Sequence, residues 1–128
     1  MPKLLRETKQ RSAIKRTFFE HRRPLSPKEV LSIASEDVPN LGIATVYRNI
    51  KAMAEEGELT PVEIPGQPPR YCLPEERSPF LFLCRESDRV FFLDPDAARI
   101  DLSNIPEEYH VERYEVVFYG TYAGNGSA

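Results

Sequence analysis

Leu41-Gly-Ile-Ala-Thr-Val-Tyr-Arg-Asn-Ile-Lys-Ala-Met-Ala-Glu-Glu-Gly57 is the stretch whose reading decides the fold. It spells an amphipathic helix of about four turns, closed by Gly57 just past its end. At 100° per residue, Ile43, Val46, Ile50, Met53 and Ala54 share one face, which should be buried. Ala44, Arg48, Lys51 and Glu55 lie opposite, with Thr45 and Tyr47 on the flanks. Small residues, a Thr, a Tyr and two cations on a short helix suit the major groove of DNA. Taken alone, the same face reads more readily as that of a solvated surface helix.

Upstream, a helical pattern runs from Thr8 to about His21, with Ile14, Thr17, Phe18 and His21 on one face. Arg22-Arg23-Pro24 ends it, since the residue before a proline is pushed out of the α region. His21 is expected to be partly buried beside a local carboxylate. Ser26-Pro27-Lys28-Glu29 is a helix start, with a capping box and proline at the first helical position. Val30, Leu31 and Ala34 form the buried face, and the helix should stop near Glu36–Asp37. Two short helices joined by a turn, the second with a reading face, make a helix-turn-helix. Downstream, the period changes to 2. Leu59, Val62 and Ile64 predict a strand, Pro65–Pro69 a turn, and Arg70–Leu73 the return strand. A hairpin after a reading helix is a wing, and Arg70 is either a phosphate contact or an ordinary exposed strand cation.

Pro74–Pro79, polar and bracketed by prolines, predicts a domain boundary. Beyond it Phe80–Cys84 and Val90–Leu93 are apolar runs of strand length, Asp94-Pro95 opens a helix, and His110–Tyr119 is β-rich, with Val116–Tyr119 its buried segment. The expected chain is α+β: a winged helix-turn-helix over 1–74, a small α/β domain over 79–123 that dimerises, and a mobile tail over 124–128. A β-β-α-β unit this small needs a second copy to cover its sheet. Tyr109, Tyr114, Phe118 and Tyr119 are assigned to core and dimer interface, or else to a ligand cavity.

The hydrophobic and charged fractions, 41% and 29%, are those of a soluble globular protein. No apolar run approaches the ~18 residues of a membrane span. The N-terminal Met-Pro-Lys-Leu-Leu-Arg is too short and polar for a secretory signal. Cys72 and Cys84 build no disulfide framework, so a cytoplasmic address is expected. Residues 1–61 carry 11 Lys/Arg against 8 Asp/Glu, while residues 62–128 carry 6 against 12. A basic first half suggests a polyanionic partner, here double-stranded DNA, and the acidic second half a different one. Lys9, Arg11 and Lys15 on the first helix, with Arg70 on the wing, are the candidate phosphate contacts. Thr45, Tyr47, Arg48 and Lys51 are the candidate base readers.

Thr8-Lys-Gln-Arg11, Leu25-Ser-Pro-Lys-Glu-Val30, Gly42-Ile-Ala-Thr-Val-Tyr-Arg48, Glu56-Gly-Glu-Leu59, Arg70-Tyr71 and Phe118-Tyr-Gly120, in this order, resemble the ferric uptake regulator family of bacterial transcription factors. The resemblance spans nearly all of the chain. It implies a winged-helix DNA reader, a C-terminal dimerisation domain and inverted-repeat operators, typically A/T-rich. It also implies that Tyr47 packs on thymine methyls and that Arg48 reaches a base edge or phosphate.

The sequence departs from that family at its metal ligands. The His-rich run before a Cys-x-x-Cys-Gly is here Ser78-Pro-Phe-Leu-Phe-Leu-Cys84, and the second thiol position is Ser87. Cys72, Phe92 and Tyr114 stand where the family places Glu, an acid and His, and Arg23 or Pro24 where it has a His before the second helix. Thr121 and Tyr122 replace its second Cys pair. A structural zinc needs about four Cys or His ligands. This chain has two of each, at 21, 72, 84 and 110, none in ligand spacing. The expectation is therefore a homodimeric regulator, a repressor by type, that needs no metal or other cofactor. A degenerate member acting through protein contacts is the alternative, as is a regulator answering to an unknown effector or using Cys72 and Cys84 as a redox pair. No catalytic set or phosphate loop is present in the sequence, so an enzyme is not expected.

Overall fold

The computed structural model describes residues 2–124, with side chains from residue 8 onward. The expected mobile tail lies almost wholly outside the described residues. The chain divides into two compact units, Met1–Arg77 and Ser78–Ala128. The first holds helices α1 (Pro2–His21), α2 (Pro27–Ala34) and α3 (Ile43–Glu55) and strands β1 (Thr60–Val62) and β2 (Arg70–Cys72). The second holds β3 (Phe80–Cys84), β4 (Val90–Phe92) and β5 (Val116–Gly120).

In the first unit the three helices and the hairpin close on one core. Ile14 and Phe18 of α1, Val30 and Ala34 of α2, and Val46, Ile50 and Met53 of α3 meet Leu25, Leu41, Leu59 and Leu73. α1 starts six residues earlier than its apolar pattern predicts and ends at His21; Arg22, with a φ of 47°, then turns the chain toward Pro24. Arg23 is buried there, its guanidinium 2.8 Å from Glu29. The capping box forms as read: the Glu29 amide donates to Ser26 Oγ, and the Ser26 amide to the Glu29 carboxylate, both at 3.2 Å. α2 is shorter than expected, relaxing into a turn after Ala34.

α3 ends in a Schellman motif. The Glu58 amide donates to Met53 O at 2.8 Å and the Gly57 amide to Ala54 O at 3.2 Å, with Gly57 at φ +80°. Its buried face is narrower than the periodicity implies: Val46, Ile50 and Met53 are buried and Ala54 half-buried, but Ile43 is 38% exposed. The apolar stripe of α3 is therefore least covered at its first turn. β1 and β2 pair antiparallel with Thr60 opposite Cys72 and Val62 opposite Arg70. Leu25 and Tyr71 exchange both backbone hydrogen bonds at 2.9 Å, fastening the hairpin to the turn between α1 and α2.

In the second unit β3 is central, antiparallel to β4 and parallel to β5, in the order β4-β3-β5. Two expectations are corrected here. Asp94 does cap a turn, its carboxylate taking the Asp96 amide at 2.7 Å, but no helix grows from it. The residues that follow supply too few buried apolar side chains to propagate one, and Ile100 is 40% exposed. Nor is the last strand buried: it begins at Val116, and Phe118 and Tyr119 are 38% and 50% exposed. Tyr109 and Tyr114 are exposed too, so within one chain these four aromatics are not core.

Candidate nucleic-acid interface

The outer face of α3 follows from its helical spacing and from what the core leaves uncovered. Ile43, Tyr47 and Lys51 form one i, i+4 ridge, and Ala44 and Arg48 the next; all five are exposed. Thr45 sits at the margin, half-buried. Its hydroxyl accepts from the Arg48 guanidinium at 3.3 Å, and its carbonyl accepts from Asn49 Nδ2 at 2.9 Å. Thr45 therefore orients Arg48 rather than standing free beside it. Gln10 of α1 joins Thr45, Arg48, Asn49 and Ala52 around a depression of about 260 Å³. Gln10 and Asn49 escape a sequence reading, because single-helix periodicity does not tell which faces of α1 and α3 meet.

The candidate phosphate contacts divide into three groups. Lys9 is exposed on α1. Arg11 instead holds Glu56 at 2.5 Å and Glu58 at 2.7 Å, and Lys15 holds Glu58 at 3.2 Å. The Lys15 and Arg11 hydrogen bonds keep the Glu58 carboxyl below its usual range, and Glu56 raises the Arg11 guanidinium. These two cations tie α1 to the Schellman turn of α3, leaving them only partly presented to a ligand. Arg70 is corrected outright. It is 3% exposed, with its guanidinium 3.4 Å from Gln67 Oε1, inside the hairpin rather than on its outer surface. The wing tip, Pro65–Pro69, carries no cation in its sequence. His21 is also corrected: it is exposed, with Nδ1 3.1 Å from Thr17 O.

The donor chemistry does not fit the metals of the resembled family. Among the described residues no three His, Cys, Asp or Glu side chains stand close enough to share an ion. Both cysteines are free and buried. Burial, with the Glu76 carboxylate next, pushes the Cys72 thiol up to about 12. The Ser87 hydroxyl donates to the Cys84 sulfur where the family's second thiol would stand; with backbone amides around it, this lowers Cys84 to about 7. A hydroxyl that donates to a thiolate satisfies it without any cation.

No helix among the described residues is long and apolar enough to cross a membrane. The chain is similar in structure to the ferric uptake regulator of Helicobacter pylori, which has three functional metal binding sites. That match has 18% identity over 90% of this chain and 78% of that one, at a TM-score of 0.64. The peroxide stress regulator of Campylobacter jejuni aligns at 22% identity over 92% and 89% of the two chains, with a TM-score of 0.61. A zinc-bound manganese uptake regulator aligns at 19% identity over 88% and 86%, with a TM-score of 0.68. At such identities these likenesses establish the fold. The sequence model of the ferric uptake regulator family matches residues 3–119. The chain therefore belongs to the ferric uptake regulator family, whose members are transcription regulators rather than enzymes.

Proposed function

We propose that this protein is a transcription regulator that binds a two-fold symmetric DNA site as a homodimer, without a metal ion. One observation carries the proposal: the outer face of α3 presents Tyr47, Arg48 and Lys51, while no described cluster of donors fits a metal. Base reading falls to Tyr47 and to Arg48 as held by Thr45, and backbone contact to Lys51 and Lys9. Two copies follow from the second unit, whose strand β5 lies at a sheet edge with aromatic side chains exposed beside it. A redox reading through Cys72 and Cys84 is weaker. Cys84 is held near 7, but both sulfurs are buried away from an oxidant, and Cys72, near 12, stays protonated at neutral pH.

The test is selection of genomic DNA fragments by chelator-treated, full-length protein, with elemental analysis of the same sample. Enrichment of inverted repeats at well under one metal per chain is expected. Affinity should fall steeply with salt, and Arg48→Ala should cost about 1–3 kcal/mol on the selected site. Binding that appears only after addition of zinc, iron or manganese overturns the metal independence. Capture of no DNA overturns the proposal as a whole.

A further inference from the structure

Ile43 is the residue at which helical periodicity and the fold disagree. Its spacing from Val46 and Ile50 places it in the core stripe, yet it is 38% exposed while both of those are buried. It sits on the first turn of α3, after an N-cap, Gly42, that has no side chain to shield it. Its i, i+4 neighbour is Tyr47, 51% exposed, and the next position on that ridge is Lys51. The ridge is thus graded, from aliphatic at the amino end through aromatic to cationic. A reading helix enters the major groove with its amino-terminal residues at the base edges. That order puts Ile43 deepest and leaves Lys51 to reach a phosphate. An exposed Ile beside cations is poorly matched to water or to a charged partner. In the major groove one apolar group is available to it, the C5-methyl of thymine.

We infer that Ile43 is a specificity residue, reading a thymine methyl group in each half-site. This rests on the DNA-binding reading above and adds a base preference at one position. Leu, Val or Ile at position 43 would preserve it. A polar side chain would remove it.

The methyl can be deleted from the DNA alone, by replacing single thymines of the selected site with deoxyuridine. Wild-type protein should lose about fourfold in affinity at the thymine read by Ile43, the worth of one buried methyl. Ile43→Ala should bind the all-thymine site about three- to tenfold more weakly, and should be indifferent to deoxyuridine at that same position. Its sensitivity at other thymines should be unchanged, and Ile43→Val should restore the wild-type pattern. Ile43 lies outside the buried cluster but is still largely covered, so Ile43→Ala should lower the thermal midpoint only slightly and remain folded at the temperature of the binding assay, which excludes misfolding as the cause. Ile43→Ala that binds as tightly as wild type, or that keeps every deoxyuridine response, overturns the inference while leaving DNA binding intact. Wild-type protein that binds no DNA overturns both.

Discussion

The two units of this chain bury their apolar residues to very different extents. The first packs side chains from three helices and a hairpin into one core, and its exposed large hydrophobics among the described residues are Phe19, Ile43 and Tyr47. The second buries Phe80, Leu81, Leu83, Cys84 and Val90 around its central strand, yet leaves nine large hydrophobics exposed, from Ile100 to Tyr122. Monomeric proteins scatter single apolar residues over their surfaces; a concentration of this kind marks a surface that something else covers. The first unit thus covers most of its own apolar surface, whereas the second leaves a surface of the kind that the proposed dimer would cover.

The most disruptive way to test that contrast is to blunt the open edge of β5. In a parallel ladder alternate residues bond to a given neighbour. The Val116 amide bonds to Pro79 O at 2.8 Å and the Gly120 carbonyl takes the Arg85 amide at 2.8 Å, so Val117 and Tyr119 direct their backbone groups away from β3. Tyr119→Pro deletes an outward N–H and keeps every bond to β3. Sedimentation equilibrium should show the dimer replaced by monomer, and affinity for a two-half-site operator should fall by about 100-fold or more as the linked second contact is lost. The core of the first unit should be untouched, with α3 folded as before. A Tyr119→Pro protein that remains dimeric would place the interface elsewhere.

A smaller effect would show that the first unit, though complete, has a fault at its edge. Glu76 closes the short 3-10 turn Pro74–Glu76, with its side chain 7% exposed and neither carboxylate oxygen accepting a hydrogen bond. The Arg22 guanidinium is 3.7 Å away and itself largely in water. Burial raises the Glu76 carboxyl above its ordinary 4.5, against the pull of Arg22 and with a further push from Glu75. The folded chain therefore holds this proton more tightly than the unfolded one. Its contribution is fully favourable below about pH 4.5 and is lost as pH rises through the folded value. Glu76→Gln should accordingly stabilise the protein at pH 7 by about 1 kcal/mol, with the gain in thermal midpoint vanishing toward pH 4. A gain of equal size at both pH values would assign the effect to packing instead of charge.

What could be read from the sequence was whatever depends on neighbours along the chain. The capping box at Ser26, the Gly57 stop and the boundaries of β3 all follow from spacings of a few residues, and the helix-turn-helix follows from them. Long-range packing was not legible. The exposure of Ile43, the burial of Arg70 and the approach of Gln10 to Asn49 depend on how elements distant in sequence meet. The missing helix after Asp94 is the opposite failure: its local start signal is genuine, since Asp94 does cap the turn, but helices of this length need a packed face to persist. On the outer face of α3, spacing found Tyr47, Arg48 and Lys51 exposed, and only the structure showed Thr45 bound to Arg48.

The same distinction between local and distant contacts separates the cations of α1, and it predicts the smallest effect. Lys9 is exposed and suited to a phosphate, whereas Arg11 spans to Glu56 and Glu58 and braces α1 against the end of α3. These pairs are partly solvated, so Arg11→Ala should cost no more than about 1 kcal/mol of folding stability, and high salt should shrink the difference. The Glu58 carboxyl is lowered by Lys15 and Arg11, so the bracing is present above its unfolded value and lost as pH falls through the folded one. A phosphate contact would behave otherwise: Lys9→Ala should leave the thermal midpoint alone and reduce the slope of log affinity against log salt by about one phosphate's worth. If Arg11→Ala reduces that slope as much as Lys9→Ala does, then DNA draws Arg11 away from its carboxylates on binding, and the brace belongs to the unbound protein.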